Sequence, residues 1–424
     1  MNVIFFTLVL IAFLTAAWRQ VQWSGEGVSP MDALSQGMVQ SAGGAVELAI
    51  GLVGVMALFL GLMKVAEEGG LLTIIARLIR PLMVRLFPQV PADHPAMGAM
   101  ILNFSANVLG LGNAATPFGI RAMQELNRLN PRPGTATDPM VLFLAINTSS
   151  LTLLPTGVIA LRASAGSADP AAILPTTLFA TFCSTAVAII AAFAYRRFFP
   201  FEAAPVVADT PVEAPAAEPL PEAGKGYPLW VSLFALAALI ALIPLTVLYG
   251  SAIAPWIIPG LMLGFLTFGV ARGVRIYETF IEGAKDGFQV ALRIIPYLVA
   301  ILVAVAMLRA SGALDVFVRW VGGYTGALGL PAEALPMALL RPLSGSGAYG
   351  VMASIINDPA IGPDSYTGYL VSTLQGSTET TFYVLAVYFG AIQVRRVRHA
   401  LAAGLTADVV GVIAAVAACS YLFA

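Results

Sequence analysis

Apolar residues along the chain fall into runs with the length of bilayer spans rather than of soluble core helices. A hydrocarbon core takes roughly 20 apolar residues per helix. Runs of that order cover Asn2–Trp18, Gly43–Met63, Met140–Leu161, Ala171–Tyr195, Tyr227–Tyr249, Ile253–Ala271, Val290–Leu308, Tyr369–Val387 and Ala400–Phe423. No Lys or Arg precedes the first run, so it reads as a retained helix, with Trp18 and Trp23 near the interface. Leu71–Phe87 is apolar but carries Arg77, Arg80 and Arg85, which a span would bury; an interfacial helix is expected there. Met97–Leu111 is short and polar, and Pro336–Ile356 is interrupted by polar residues. Both are expected to be re-entrant, opening and closing on one side of the membrane.

One stretch breaks the pattern. Phe198–Gly226 reads FFPFEAAPVVADTPVEAPAAEPLPEAGKG, and it holds too little apolar surface to fold. It divides the chain into residues 1–197, a cytoplasmic linker over 198–226, and residues 227–424, the last beginning with two extra spans.

Composition agrees with the membrane reading. Charged residues make up 11% of the chain, less than half the roughly 25% of a soluble domain, and the mean hydropathy is +0.86. The net charge of −1 offers no basic surface, so no nucleic-acid partner is expected. Cys183 and Cys419 each lie in an apolar run, and His94 and His399 stand far apart. Neither pattern suggests a metal or cofactor, and none is expected. The GxxxxGK[ST] phosphate loop, HExxH and GxSxG are all missing, so the reading is not an enzyme.

Charge also orients the spans. Arg121, Arg128, Arg132, Arg196, Arg197, Arg395, Arg396 and Arg398 all fall on one side if the two re-entrant segments are real. The positive-inside rule makes that side the cytoplasm. The acidic segments Glu26–Asp32 and Asp358–Asp364 then lie outside, with the N-terminus cytoplasmic, the C-terminus outside, and the inner membrane as the location.

The two halves resemble each other. LAINTSSLTLLPTGVIAL in the first aligns with LVSTLQGSTETTFYVLAVYFG in the second, placing Asn147 on Gln375, Ser149 on Ser377 and Thr152 on Thr380. Each half reads as a span, a connecting segment, a re-entrant segment, a broken span and a final span. The charge assignment orients the halves oppositely. Inverted repeats with broken helices point to a transporter with a midplane site. The expected fold is therefore an all-α polytopic membrane protein of two inverted repeats, each with a re-entrant hairpin and an unwound helix, plus peripheral helices.

Irregular backbone survives at membrane depth only inside protein or beside water. Four segments supply it: Asn103–Asn113 (NFSANVLGLGN), Asn147–Thr152 (NTSSLT), Ser344–Gly350 (SGSGAYG) and Gln375–Thr381 (QGSTETT). Their polar side chains are the candidate solute ligands. They are Asn103, Asn107 and Asn113; Asn147, Thr148, Ser149, Ser150 and Thr152; Ser344 and Ser346; and Gln375, Ser377, Thr378, Glu379 and Thr380. Glu379 in mid-span and Asp408, about 12 Å into the last span at 1.5 Å per residue, are costly to bury and are the candidate ion-coupling groups. Arg341 is a candidate charge partner. Lys64, Glu67, Glu68, Arg293, Arg309 and Glu47 lie near span ends and read as interfacial.

These segments carry a family resemblance. ELAIGLVGVMALFLGLMKVAEEGGL, HPAMGAMILNFSANVLGLGNAATPFGIRAM and FLAINTSSLTLLPTGVIALRASAGSADP resemble spore maturation protein A. LPMALLRPLSGSGAYGVM and LQGSTETTFYVLAVYFGA, among others, resemble spore maturation protein B. Both would here be fused through Phe198–Gly226. Each half is similar to the gate, or nucleoside-recognition, domain shared with concentrative nucleoside transporters and the membrane part of ferrous iron transporters. That resemblance implies opposed hairpins and unwound helices around a solute, at the four segments named above. The GTPase domain of the iron transporters is missing, and neither cysteine lies in a polar break.

The expected function is a secondary active transporter of a small polar solute, bound between the repeats and coupled to a proton or sodium. A passive channel or exit pathway and a non-transporting scaffold or regulator are the alternatives. Membrane lipid is the expected surrounding partner. The spans Tyr227–Tyr249 and Ile253–Ala271 lie outside the repeat and are candidates for a homo-oligomer interface.

Overall fold

In hydrocarbon each backbone N–H and C=O must be bonded within the protein, which favours helices. The computed structural model describes residues 2–110, 112–149, 152–201 and 226–423. Among these residues the first half forms α1 (Asn2–Val21), α2 (Pro30–Glu68), α3 (Leu71–Leu86), α4 (Pro95–Val108), α5 (Gly112–Arg128), α6 (Asp138–Ser149), α7 (Thr156–Ser164) and α8 (Leu174–Tyr195). After the linker come α9 (Leu229–Ala271), α10 (Ile276–Ser311), α11 (Ala313–Thr325), α12 (Leu335–Leu340), α13 (Gly345–Ile356), α14 (Tyr366–Ser377), α15 (Thr381–Gly390) and α16 (Ala400–Phe423). Extended pairing among the described residues is limited to one isolated bridge, Thr135 to Arg396. α2, α8 and α16 are long and apolar enough to cross a bilayer.

The halves share an order of elements. A long helix (α2, α10) leads to an amphipathic helix (α3, α11). A helical hairpin follows (α4–α5, α12–α13), then an interrupted helix (α6/α7, α14/α15) and a final span (α8, α16). Corresponding helices pack antiparallel. Along α2 and α10, Gly37 faces Ala310, Ala57 faces Gly287 and Lys64 faces Gly283. A Cβ on Gly287 would lie 2.7 Å from the Ala57 backbone, so glycine lets these helices touch. Along α8 and α16, Ser184 donates to the Ala407 carbonyl at 3.0 Å, and His399 meets the Ala192 carbonyl at 3.1 Å.

The hairpins open toward opposite ends of the bundle. α4 begins beside the Arg80–Asp93 pair, and α5 ends beside Arg121, Glu125 and Arg128. The loop after α5 meets the loop before α16, where Ala136 N–H donates to the Arg396 carbonyl and Arg395 N–H to that of Gly134. The second hairpin ends at Asp358, which pairs with Arg309 at 2.8 Å at the far end of α10. The arginines assigned to one side by sequence thus gather at one end. α1 starts at that end, because its last turn reaches the other: Arg19 donates to the Ser311 carbonyl at 2.9 Å.

α9 differs from the two separate spans expected at Tyr227–Tyr249 and Ile253–Ala271. It is one helical run of 43 residues. Straight, it would hold its ends about 65 Å apart. Yet Tyr227 N–H donates to the Arg77 carbonyl at 3.0 Å, and Phe268 packs on Gly69, only eight residues away along the neighbouring chain. The run therefore turns back on itself between Leu229 and Ala271. Residues 202–225 of the expected linker lie outside the described residues.

Two arginine–aspartate pairs cross-link the halves. Arg162, at the end of α7, is fully buried and pairs with Asp364 ahead of α14 at 2.9 Å. It also donates to the carbonyls of Pro170, Asp169 and Pro363 and stacks over Tyr369. Arg398, ahead of α16, pairs with Asp138 at the start of α6 at 2.6 Å and donates to the Ala136 carbonyl. Removing Arg162 leaves the carbonyls of Asp169, Pro170 and Pro363 without their donor. Arg162→Met is therefore expected to cost roughly 3 kcal/mol or more. Lys64→Met, at a partly exposed pair with Glu67, is expected to cost at most about 1 kcal/mol. SDS-driven unfolding in mild detergent, followed by circular dichroism, checks both; equal losses would contradict the assignment.

Candidate functional site

Both interrupted helices stop where sequence chemistry competes with the helix. At the end of α6, Thr148 and Ser149 turn their hydroxyls onto the carbonyls of Ala145 and Ile146 at 2.8 and 2.9 Å. Pro155, which has no N–H to donate, precedes α7. At the end of α14, Gly376 and Ser377 lead into extended backbone at Thr378. α15 begins at Thr381.

Each hairpin tip then repairs the break in its own half. Leu153 N–H donates to the Val108 carbonyl at 3.0 Å, and Phe382 N–H donates to the Pro342 carbonyl at 3.0 Å. Side chains reinforce both junctions. Asn107 Nδ2 donates to Asn147 Oδ1 at 2.9 Å. Arg341 donates to the Thr378 carbonyl and to Thr380 Oγ1. The breaks are joined to each other by Glu379 N–H, which donates to the Thr148 carbonyl at 2.8 Å. Gly110 closes the first tip with φ +75°, and a Cβ there would lie 2.9 Å from the Leu154 carbonyl oxygen. Only glycine meets both demands without strain.

A cavity of about 280 Å³ lies where these parts meet. The first hairpin contributes Asn107 and Gly110, and the first break contributes residues from Thr152 to Val158. The second hairpin contributes Arg341, Gly345 and Tyr349, and the second break Gln375, Gly376 and Glu379. All four expected segments reach it. Arg341 is 6% exposed. The Glu379 side chain is 47% exposed and stands 3.8 Å from the guanidinium.

The sequence-selected residues divide. Asn107, Thr152, Gln375, Glu379 and Arg341 line the cavity. Others are drawn away from it by bonds of their own. Asn103 donates to the Ala115 carbonyl and to Tyr388, and Asn147 holds Asn107. Thr148, Ser149 and Ser377 return their hydroxyls to their own helices. Thr378 and Thr380 are held by Arg341, and Ser344 caps α13 by accepting from Gly347 N–H. Ser346 sits half-buried in the first turn of α13. Asp408 is also set back, buried in α16, where it accepts from Thr381 Oγ1 at 2.7 Å. Ser150 and the Asn113 side chain lie outside the described residues. Sequence reasoning missed Tyr349, whose hydroxyl donates to the Gly157 carbonyl across the cavity wall, although it stands inside the quoted SGSGAYG. It also missed Tyr388, which stands between Asn103 and Asn147.

A family model, Gate, described as nucleoside recognition, matches residues 49–197 and 291–395. The chain belongs to the Gate nucleoside-recognition family. Every cavity-lining residue falls inside the two Gate segments, whereas Asp408 and α9 fall outside them. The Gate chain is 46% identical over 166 residues to spore maturation protein B of Bacillus subtilis, covering 39% of this chain and 92% of that protein. It is 45% identical over 166 residues to spore maturation protein A of the same organism, covering 39% and 85%. It is also 34% identical over 105 residues to the inner membrane protein YjiG of Escherichia coli K12, covering 24% and 63%. These relatives and the apolar helices make the Gate chain a membrane protein. Two solved structures share the chain path weakly. One is CNTnw in an outward-facing state, at 12% identity and TM-score 0.46, covering 98% of this chain and 99% of that one. The other is the Alcanivorax borkumensis YdaH transporter, at 15% and 0.43, covering 98% and 97%.

The Asn107–Asn147 bond gives the site its first test. A double-mutant cycle with both residues changed to Ala is expected to show a coupling of about 1 kcal/mol in unfolding free energy. Additive losses would mean that the amides do not hold the hairpin to the break.

Proposed function

We propose that this Gate protein is a secondary transporter that binds a small polar solute in the central cavity and moves it by alternating access. One observation carries the reading. Two hairpins from opposite ends of the bundle meet two helix breaks at a single cavity, with the same backbone bond closing each break. The antiparallel pairing of α2 with α10 and of α8 with α16 supports reading the halves as inverted repeats. Such repeats give a site two equivalent ways out. The volume lies just under the usual 300–1,000 Å³ of ligand pockets, which favours a small solute.

The arginine-rich end is assigned to the cytoplasm of the inner membrane, by the positive-inside rule and by likeness to an inner membrane protein. The N-terminus is then cytoplasmic and the C-terminus outside. Asn107, Thr152, Gln375 and Glu379 contact the solute. Glu379 and Asp408 take the coupling proton or cation. Thr381 opens α15 and holds Asp408, so a charge change at Asp408 acts on the same break that carries Glu379.

The test is uptake into proteoliposomes, with labelled nucleosides, amino acids and small carboxylates and an imposed proton or sodium gradient. The expected result is saturable, gradient-driven uptake of one class, reduced at least tenfold by Gln375→Ala and by Glu379→Gln. Flux that never saturates would favour a channel, and no flux of any class would favour a scaffold.

A further inference from the structure

The cavity is charged in a particular way. Arg341 and Glu379 are its charged lining residues, one of each sign. Their mutual contact is loose: 3.8 Å exceeds hydrogen-bond length, and the terminal nitrogens of Arg341 are given to Thr378 and Thr380. Arg341 Nε is buried without a partner. The Glu379 carboxylate, half exposed, keeps acceptor capacity, and Gln375 Oε1 beside it is also buried without a partner.

The positive corner is extended by a helix end. α13 is 12 residues long and starts at the cavity. Its first ladder bond is Ala348 N–H to the Ser344 carbonyl, and Gly347 N–H is taken by Ser344 Oγ. The amides of Gly345 and Ser346 precede that ladder and point outward from the helix start. A Cβ on Gly345 would lie 2.7 Å from Thr380 Oγ1 and 3.4 Å from Arg341 Nη1, so the missing side chain brings the guanidinium against this turn. A guanidinium next to a helix N-terminus favours a carboxylate. The acceptors Glu379 and Gln375 favour an ammonium group.

We infer, resting on the transport reading above, that the solute is a small zwitterionic amino carboxylate. Its carboxylate lies at Arg341 and the first turn of α13, and its amine at Glu379 and Gln375. Charge balance selects the zwitterion over its halves. The charges of the two lining residues sum to zero, and Arg341, which is buried, is costly to leave without a partner. A simple amine draws Glu379 away from Arg341, and a simple carboxylate adds a second negative charge beside Glu379. A neutral molecule with both groups satisfies both corners.

Isothermal titration of the full chain in detergent tests this, with the twenty amino acids, propionate, propylamine, uridine and adenosine as probes. At least one amino acid is expected to bind saturably. Its N-acetyl and carboxamide derivatives are expected to bind at least 100-fold more weakly. Glu379→Gln is expected to weaken the amino acid at least tenfold, with Glu379→Asp restoring part of the loss; thermal unfolding of each variant confirms that it is folded. Binding of propionate, propylamine or a nucleoside, with no amino acid bound, would overturn the zwitterion and leave the transport site standing. An amino acid bound equally well by wild type and Glu379→Gln would overturn the placement of its amine. No binding by any probe, together with no uptake in the proteoliposome assay, would overturn both readings.

Discussion

Everything at the centre of this protein follows from the need to satisfy backbone groups away from water. A helix that stops in hydrocarbon leaves N–H groups on one fragment and carbonyls on the other, each costing several kcal/mol if unbonded. The chain stops two helices there, at Ser149 and at Ser377. Both interruptions are tolerable because a hairpin tip delivers a carbonyl to the residue that resumes the chain: Val108 to Leu153, and Pro342 to Phe382. Hairpin and broken helix are thus obligate partners within each half. The Glu379–Thr148 bond makes the two halves partners as well. The cavity is the volume left between four segments whose approach is fixed by these bonds. Gly110 is needed because that approach leaves no room for a Cβ.

The same halves are braced at their ends by a reciprocal exchange of charge. Arg162 belongs to the first half but holds the residues that lead into the second broken helix, Pro363 and Asp364. Arg398 belongs to the second half but holds Ala136 and Asp138, which lead into the first. Each broken helix is therefore anchored at its outer start by the other half and at its interruption by its own hairpin. Burying Arg162 is costly, and its cost is met by several carbonyls, a carboxylate and the face of Tyr369 together. Positioning of the central residues thus depends on bonds at both ends of the bundle.

Much of this plan is legible in the sequence, because bilayer physics leaves few options. The apolar runs, the low charge and the clusters NTSSLT and QGSTETT mark where helices run and where they stop. The arginine bias marks one end. What the sequence does not reveal is which way a hydroxyl turns. Thr148 and Thr152 are the same residue type four positions apart, yet one bonds its own helix and the other lines the cavity. Ser and Thr interrupt a helix by bonding its carbonyls, and the same groups can bind a solute, so the residue type marks the break without assigning the ligand. Arg162 looks like an ordinary span-end arginine until the fold brings Asp364 to it from 202 positions away. α9 shows the opposite difficulty: the sequence predicts two spans, Tyr227–Tyr249 and Ile253–Ala271, but does not show that the chain between them stays helical.

The two intramembrane carboxylates show how environment separates groups that sequence treats alike. Both interrupt apolar runs, and both were candidates for the same task. Asp408 is enclosed: one oxygen accepts from Thr381, and the other is buried without a partner. Glu379 is open to the cavity beside a guanidinium already engaged elsewhere. The first setting keeps a carboxylate away from the cavity, and the second exposes one to it. Glu379 lies in the break, and Thr381, which holds Asp408, ends it two residues later. Against α16, Gly411 leaves space for Thr378, so the segment from Thr378 to Thr381 is held by Arg341 on one side and by the Asp408 helix on the other. That four-residue segment joins the cavity-lining Glu379 to Thr381, the hydrogen-bond partner of Asp408. The first half has Asn147 and no carboxylate at its matching break, so the two breaks differ in charge.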